Sequence, residues 1–206
     1  MKNPEPAKLT AVLLAAGASV RLGQPKQLVR LDGQSLVRRA AGLLSTLGLE
    51  TVVVTGHRSE DVARELDGLP VTAVHNSEWR LGMGGSIACG VNHIPGQADG
   101  VMLVLCDQWC VDQSDFLELV STWTPDISRI CAAQWDHESD VISGPPVIFP
   151  RKLMHELKFL NPGSGAKAVI DRYRDVTFVK LENAAYDLDS PEDLEALSRG
   201  KALYFR

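Results

Sequence analysis

Arg21 and Lys26 stand five residues apart in a stretch made otherwise of small and turn-forming residues, Leu14-Ala15-Ala16-Gly17-Ala18-Ser19-Val20-Arg21-Leu22-Gly23-Gln24-Pro25-Lys26-Gln27-Leu28. The chemistry open to such a pattern is anion binding. A glycine-containing turn offers backbone N–H groups to anionic oxygens, small residues let the chain approach a ligand, and two cations can neutralise a polyphosphate. Carboxylates further along could complete the set. Asp107 ends the apolar run Val101-Met102-Leu103-Val104-Leu105-Cys106, where core packing gives it no role beyond capping the next turn. In extended backbone Asp187 and Asp189 fall on one face and Leu188 on the other. Part of that acidic cluster serves the amino terminus of a helix beginning at Pro191. Asp187 is too far back for that and is freer to bind a metal. Magnesium takes one or two carboxylates together with substrate phosphates and waters. The matching reaction is in-line attack on an α-phosphorus, with Arg21 and Lys26 offsetting charge on the phosphoryl oxygens. It needs no activated Ser or Cys, because the attacker is an already ionised phosphate.

Elimination narrows the loop. The dinucleotide fingerprint G-x-G-x-x-G fails because Ser19 occupies its second glycine position. The ATP-binding P-loop fails because Lys26 is followed by Gln27, which has no hydroxyl for magnesium. What remains resembles the L-A-x-G-x-x-x-R-x-G-x-x-K signature of nucleotidyltransferases. An ordinary strand-to-helix loop with two solvated cations is the blander alternative.

The 206 residues suffice for one α/β domain with a real core, and we expect residues 1–206 to form a single one. A hydrophobic content of 45% and a charged content of 23% are those of an ordinary soluble globule. A net charge of −5 argues against nucleic-acid and anionic-membrane partners, so anionic substrates fall to local clusters such as Arg21, Lys26 and Arg30. Cys89, Cys106, Cys110 and Cys131 match no zinc spacing and read as thiols in a reducing cytosol. Residues 1–8 carry two prolines, and the apolar run after them is too short for a signal-peptide core or a membrane span, so a cytoplasmic location is expected.

These residues need strands and helices to hold them. The pattern predicts strands at Leu9–Leu14, Thr51–Val54, Val71–His75, Val101–Cys106, Arg129–Gln134, Pro146–Phe149 and Val176–Leu181. Helices are expected from Ser35 to about Leu47, stopped by Gly48, from Ser59 to near Gly68, and after a cap at Ser114. Others are expected over Gly165–Tyr173 and over Pro191–Ser198 with Ser190 at the cap. Gly82-Met83-Gly84-Gly85-Ser86 reads as flexible, with a short helix from Ile87. That turn can admit a base or ribose, Ser86 hydrogen-bonding to it. Trp109 is expected on the crevice rim beside Asp107, and the five histidines show no ligand spacing. Alternating β and α segments imply a doubly wound, mostly parallel sheet with helices on both faces, whose ligands bind beyond the carboxyl ends of the strands.

With these pieces placed, the chain resembles the molybdenum cofactor nucleotidyltransferases, and among them the molybdopterin cytidylyltransferase branch. The likeness rests on Leu14-Ala15-Ala16-Gly17 with Arg21, Gly23 and Lys26, on Val54-Thr55-Gly56, His75-Asn76, Gly82-Met83 with Ser86, and Asp107-Gln108. It continues through Gly144 with Pro146, Gly165-Ala166 and the run Asp187 to Asp193, so it covers nearly the whole chain. The resemblance implies the nucleotide-diphospho-sugar-transferase variant of the Rossmann fold. It implies Arg21, Lys26 and Asp107 as catalytic, and Leu14, Ala15, Ala16, Gly17, Gly82 and Ser86 at the nucleotide. It further implies Asp107, Asp187 and Asp189 at Mg2+. Relatives using CTP tend to carry Ala at the place of Ala16 and those using GTP Gly, so CTP is the expected nucleotide and molybdopterin the expected acceptor, with a molybdoenzyme apoprotein downstream. Departures are Leu14 for Thr, Trp109 for Pro, Pro145 for His, and Asn161-Pro162-Gly163-Ser164 without the usual Gly-Asp. The last three fall where an acceptor would be touched. Rival readings are GTP in place of CTP, a sugar or polyol phosphate as acceptor, or a non-catalytic carrier of the cofactor.

Overall fold

The computed structural model describes residues 7–198. The run that opens the sheet, β1 (Leu9–Ala15), is buried at every position, as a strand covered on both faces must be. Alternation divides its side chains: Leu9, Ala11, Leu13 and Ala15 enter one apolar cluster, Val12 and Leu14 another. A two-residue ladder, β2 (Arg30–Leu31) with β3 (Gln34–Ser35), leads into α1 (Leu36–Thr46), where the Ser35 hydroxyl caps by accepting from the Arg38 N–H. Gly48, at φ 69°, ends that helix in the left-handed conformation. There follow β4 (Glu50–Thr55), α2 (Ser59–Glu65), β5 (Thr72–His75), α3 (Met83–Asn92), β6 (Gly100–Leu105) and α4 (Gln113–Trp123). The chain continues through β7 (Ile130–His137), β8 (Asp140–Pro150), α5 (Met154–Lys158), α6 (Ala166–Ile170), β9 (Val176–Lys180) and α7 (Pro191–Ser198).

The main sheet has seven strands in the order β5-β4-β1-β6-β8-β7-β9. β5, β4, β1 and β6 are parallel neighbours, as are β7 and β9, while β8 runs antiparallel to both β6 and β7. Helices α1, α2 and α4 cover one face, and α3, α5 and α6 the other. The expected doubly wound, mostly parallel architecture is therefore what forms. None of the four cysteines is in a disulfide, and Cys106, Cys110 and Cys131 are buried. Among the described residues no helix is long and apolar enough to cross a membrane.

Four expectations need correction. Residues 83–86 are not a flexible lead-in: α3 begins at Met83, because Gly82 supplies the φ of 128° at its cap and the Gly84 N–H donates to the Pro162 carbonyl at 2.9 Å. The cap of α4 is Asp112, not Ser114. Its carboxylate accepts from the Ser114 and Asp115 N–H groups, and Asp115 reciprocates in a capping box. Strands β7 and β8 outrun their predicted lengths and form a hairpin. Pro145 and Pro146 sit at its register shift between Ala132 and Ala133, where no ladder donor is required. Trp109 is 3% exposed, inside a small cluster with Leu22, Leu36, Cys110, Leu188 and Leu197, and so is not on a rim. That cluster ties the loop after β1, the turn after β6 and the segment before α7 together at the carboxyl end of the sheet.

Helix α3 can lie close to the sheet because Gly90 has no side chain. A Cβ there would press into Val12 Cγ1 and reach 2.8 Å from Val54 Cγ2. Gly90→Ala should therefore destabilise the protein by about 1–3 kcal/mol through overpacking, despite alanine's better helix propensity. The check is the urea midpoint at unchanged m-value, and a midpoint at or above wild type would contradict this packing.

Candidate active site

The loop leaving β1 is stitched from within. Ser19 and Gly23 adopt left-handed backbone at φ 54° and 75°, and the Gly23 N–H donates to the Ser19 carbonyl at 3.1 Å. The Lys26 N–H donates to Ser19 Oγ at 3.0 Å. Gln27, 1% exposed, donates from Nε2 to the carbonyls of Gly17 at 3.1 Å and His57 at 3.4 Å. The His57 N–H in turn donates to the Ala16 carbonyl at 3.0 Å. Gly17 faces open space where a side chain would stand, which leaves its backbone accessible. At the other side Leu188, fully buried, donates its N–H to the Asp107 carbonyl at 3.0 Å, and Gln108 pairs with Asp187 across an antiparallel bridge. This fastening brings the acidic segment before α7 to the end of β6.

The charged side chains meet at Lys26. Its Nζ donates to Asp107 Oδ2 and, at 3.0 Å, to Asp189 Oδ1. Arg21, largely exposed, donates from Nη2 to Asp189 Oδ2 at 2.8 Å. Burial works against the Lys26 charge, but Asp107 and then Asp189 outweigh it and hold the ammonium well above its usual pKa. Burial likewise opposes ionisation of Asp189, yet Lys26 and Arg21 keep its carboxyl below the ordinary value. Asp187 is different: burial, and next the charge of Asp107, push it up to about 7, with Lys26 only partly offsetting them. Its Oδ1 is buried without a hydrogen-bond partner. The neighbouring Cys106 is buried, and that burial drives its thiol far above the range in which a thiolate forms.

Two chambers adjoin here and share Gly17 and Lys26. The larger, about 300 Å³, is lined by Leu14, Ala16, Gly17, Ala18, Lys26, Trp79, Arg80, Gly82, Met83, Ser86, Leu105 and Asp107. The smaller, about 250 Å³, is lined by Gly17, Ser19, Val20, Arg21, Lys26 and Asp189. Leu14, Ala16, Gly17, Gly82 and Ser86 thus line one cavity with Lys26 and Asp107, and Arg21 and Asp189 complete the other. Ala15 does not join them: its methyl is buried in the cluster on the opposite face of β1, leaving only its backbone near the loop. Arg30 is also displaced, paired with Glu65 at 2.7 Å and lining neither chamber. Ser86 is pre-set, its hydroxyl accepting from Asn76 Nδ2 at 3.1 Å. Sequence reasoning passed over Trp79 and Arg80. Their only local signal was an aromatic and a cation directly before the Leu81-Gly82 turn.

Among the described residues no three His, Cys, Asp or Glu side chains form a ready-made metal cage. The set nonetheless fits a hard divalent cation that takes its other ligands from substrate. Asp187 offers a buried oxygen without a partner, and burial, then the charge of Asp107, raise its pKa against Lys26, so a bound cation would favour its ionised form.

Residues 11–176 match the model of the MobA-like NTP transferase domain. The nicotine blue oxidoreductase of Paenarthrobacter nicotinovorans is 28% identical over 92% of this chain and 96% of its own length. The bifunctional IPC transferase and DIPP synthase of Rubrobacter xylanophilus is 41% identical over 41% of this chain, and the match spans only 21% of that protein. The crystal structure of Rv0371c from Mycobacterium tuberculosis superposes with a TM-score of 0.78 at 24% identity, covering 94% of this chain and 100% of that one. The same protein in complex with manganese gives 0.72 at 22% identity, covering the same shares. These likenesses establish the nucleotidyltransferase fold.

The raised carboxyl of Asp187 carries a stability signature. Between about pH 4 and 7 the native state keeps a proton there that the unfolded chain has released. The native state then binds more protons, so stability falls as pH rises through that window. Asp187→Asn keeps the shape and removes the ionisation. With divalent metal chelated, the variant should be about 1–3 kcal/mol more stable than wild type at pH 8, the gap closing toward pH 4. Denaturant titrations across pH check this, and a variant less stable at pH 8 would contradict the assignment.

Proposed function

The chain belongs to the MobA-like NTP transferase domain family, and on that premise we propose that this nucleotidyltransferase is a magnesium-dependent cytidylyltransferase. It takes CTP, transfers CMP to the phosphate of a small-molecule acceptor, molybdopterin cofactor, and releases pyrophosphate. The product serves a molybdoenzyme apoprotein in the cytoplasm. The observation that carries this reading is Lys26, common to both chambers and bonded to carboxylates from two distant segments.

The reaction divides naturally between the chambers. The nucleoside occupies the larger one, against Ala16 and Gly17, and the β- and γ-phosphates lie in the smaller one beside Arg21. An oxygen of the ionised acceptor phosphate attacks the α-phosphorus. As that bond forms, the bond from the α-phosphorus to its bridging oxygen breaks, and pyrophosphate carries the electron pair away toward Arg21 and Lys26. Lys26 has three N–H donors and spends two on Asp107 and Asp189, so the third is available to a phosphoryl oxygen. Arg21 uses one nitrogen on Asp189 and keeps further donors for the leaving group. Asp107, with Asp187 and Asp189, would hold Mg2+, which when bound neutralises the phosphates and polarises the α-phosphoryl group. A carrier that only holds the cofactor has no use for a triphosphate subsite, which favours the enzymatic reading.

CTP is favoured over GTP by Ala16, whose buried methyl lines the larger chamber and limits how closely a purine settles. Molybdopterin is favoured by the sequence likeness, with a sugar or polyol phosphate as the competitor. Trp109 does not weigh in that choice, because it is buried away from both chambers.

Pyrophosphate release, measured with each nucleoside triphosphate against molybdopterin and against sugar phosphates, tests the assignment. CTP with molybdopterin should give the highest kcat/KM. Ala16→Gly should narrow the CTP-over-GTP ratio without reversing it, since a methyl-sized change in a pocket is worth about 1–3 kcal/mol. A wild type that prefers GTP overturns the cytidine assignment, and no pyrophosphate from any pair overturns the transferase reading altogether.

A further inference from the structure

Arg80 is a charged side chain of the larger chamber that the reaction chemistry above leaves unused. It lies in the single 3-10 turn Trp79–Leu81, directly before the cap of α3. Its guanidinium carbon sits 4.4 Å from the centroid of the Trp79 ring, so the flat cation rests on the indole face. Trp79 is itself tightly placed: a Cβ on Gly56 would come within 2.7 Å of its Cγ, the His57 ring centroid stands 5.4 Å away, and its backbone N–H donates to the Asn76 carbonyl at 3.3 Å. Arg21 and Lys26 are committed to carboxylates, whereas among the described residues Arg80 makes neither an ion pair nor a hydrogen bond. An unpaired, pre-oriented guanidinium facing a cavity is a fork of donors waiting for acceptors.

Position says which acceptors. The phosphate end of the cleft is the smaller chamber with Arg21, and Arg80 lines only the larger one, with Ala16, Gly17 and Ser86. We propose that Arg80, shelved on Trp79, reads the nucleobase, giving two parallel N–H bonds to the N3 and O2 acceptors of cytosine. Uracil offers a donor at N3 and cannot accept there, so the same fork discriminates CTP from UTP, a distinction that the Ala16 methyl cannot make. This rests on the assignment of the larger chamber to the nucleoside and of CTP to the site.

Equilibrium dissociation constants for CTP, UTP and GTP with magnesium, on wild type, Arg80→Ala and Arg80→Lys, test it without any acceptor. A bidentate base contact predicts roughly 10–100-fold weaker CTP binding by Arg80→Ala, with UTP changed far less, so that the CTP:UTP ratio collapses. Arg80→Lys should not restore the ratio, because an ammonium cannot present two parallel bonds. Arg80 is exposed, and unchanged melting midpoints would confirm that the folds are intact. Equal losses for CTP and UTP, or an unchanged ratio in a wild type that prefers CTP, overturn the role of Arg80 alone. A wild type that prefers GTP overturns the cytidine assignment and this inference with it.

Discussion

The ammonium of Lys26 is the point on which the cleft depends. Three stretches far apart in sequence meet there: the loop after β1, the end of β6 at Asp107, and the segment before α7 at Asp189. Carboxylates gathered this closely repel: burial, and next the charge of Asp107, raise the pKa of Asp187, and Lys26 only partly offsets them. The apolar cluster of Leu22, Trp109 and Leu188 holds the three stretches together regardless. Under the proposed function, Asp107, Asp187 and Asp189 would hold a divalent cation at this point, and the cation would offset the charge of the substrate phosphates.

Small residues decide how near the scaffold can come to a ligand. Gly56 brings Trp79 against the loop after β1, and Gly84 lets residues 161–164 lie on the first turn of α3, its absent Cβ otherwise 2.8 Å from the Ser164 carbonyl. The larger chamber is therefore walled on one side by backbone and on another by the Trp79–Arg80 stack. Under the proposed function, that division would let one cleft treat the phosphates as charge and the base as shape and hydrogen-bond pattern.

Local chemistry was legible in the sequence and long-range geometry was not. The buried run of β1, the Ser35 cap with Gly48 as terminator, and the Ser190 cap, whose hydroxyl accepts from the Asp193 N–H, were all readable, because each is set within a few residues. Arg21, Lys26, Asp107 and Asp189 could be picked out as chemistry-bearing, and they do converge. The hairpin of β7 and β8 was hidden because Pro145 and Pro146 break the strand pattern at a bulge that only the partner strand defines. The start of α3 was hidden because its glycines signal flexibility until the 161–164 loop packs on them. Ala15 and Trp109 were misplaced for one reason: which face of a strand or turn meets the core is fixed by neighbours distant in sequence.

The most direct test of the central claim is the melting midpoint with and without CTP and magnesium, in wild type and in Lys26→Ala. A ligand at a hundredfold excess over its Kd stabilises the native state by about 2.7 kcal/mol. For a chain of this size that is a rise of roughly 5–10 °C. Wild type should show the full rise, and Lys26→Ala little or none at the same concentrations. Equal rises in both proteins, or none in wild type with any nucleoside triphosphate at millimolar levels, would contradict a triphosphate site organised around Lys26.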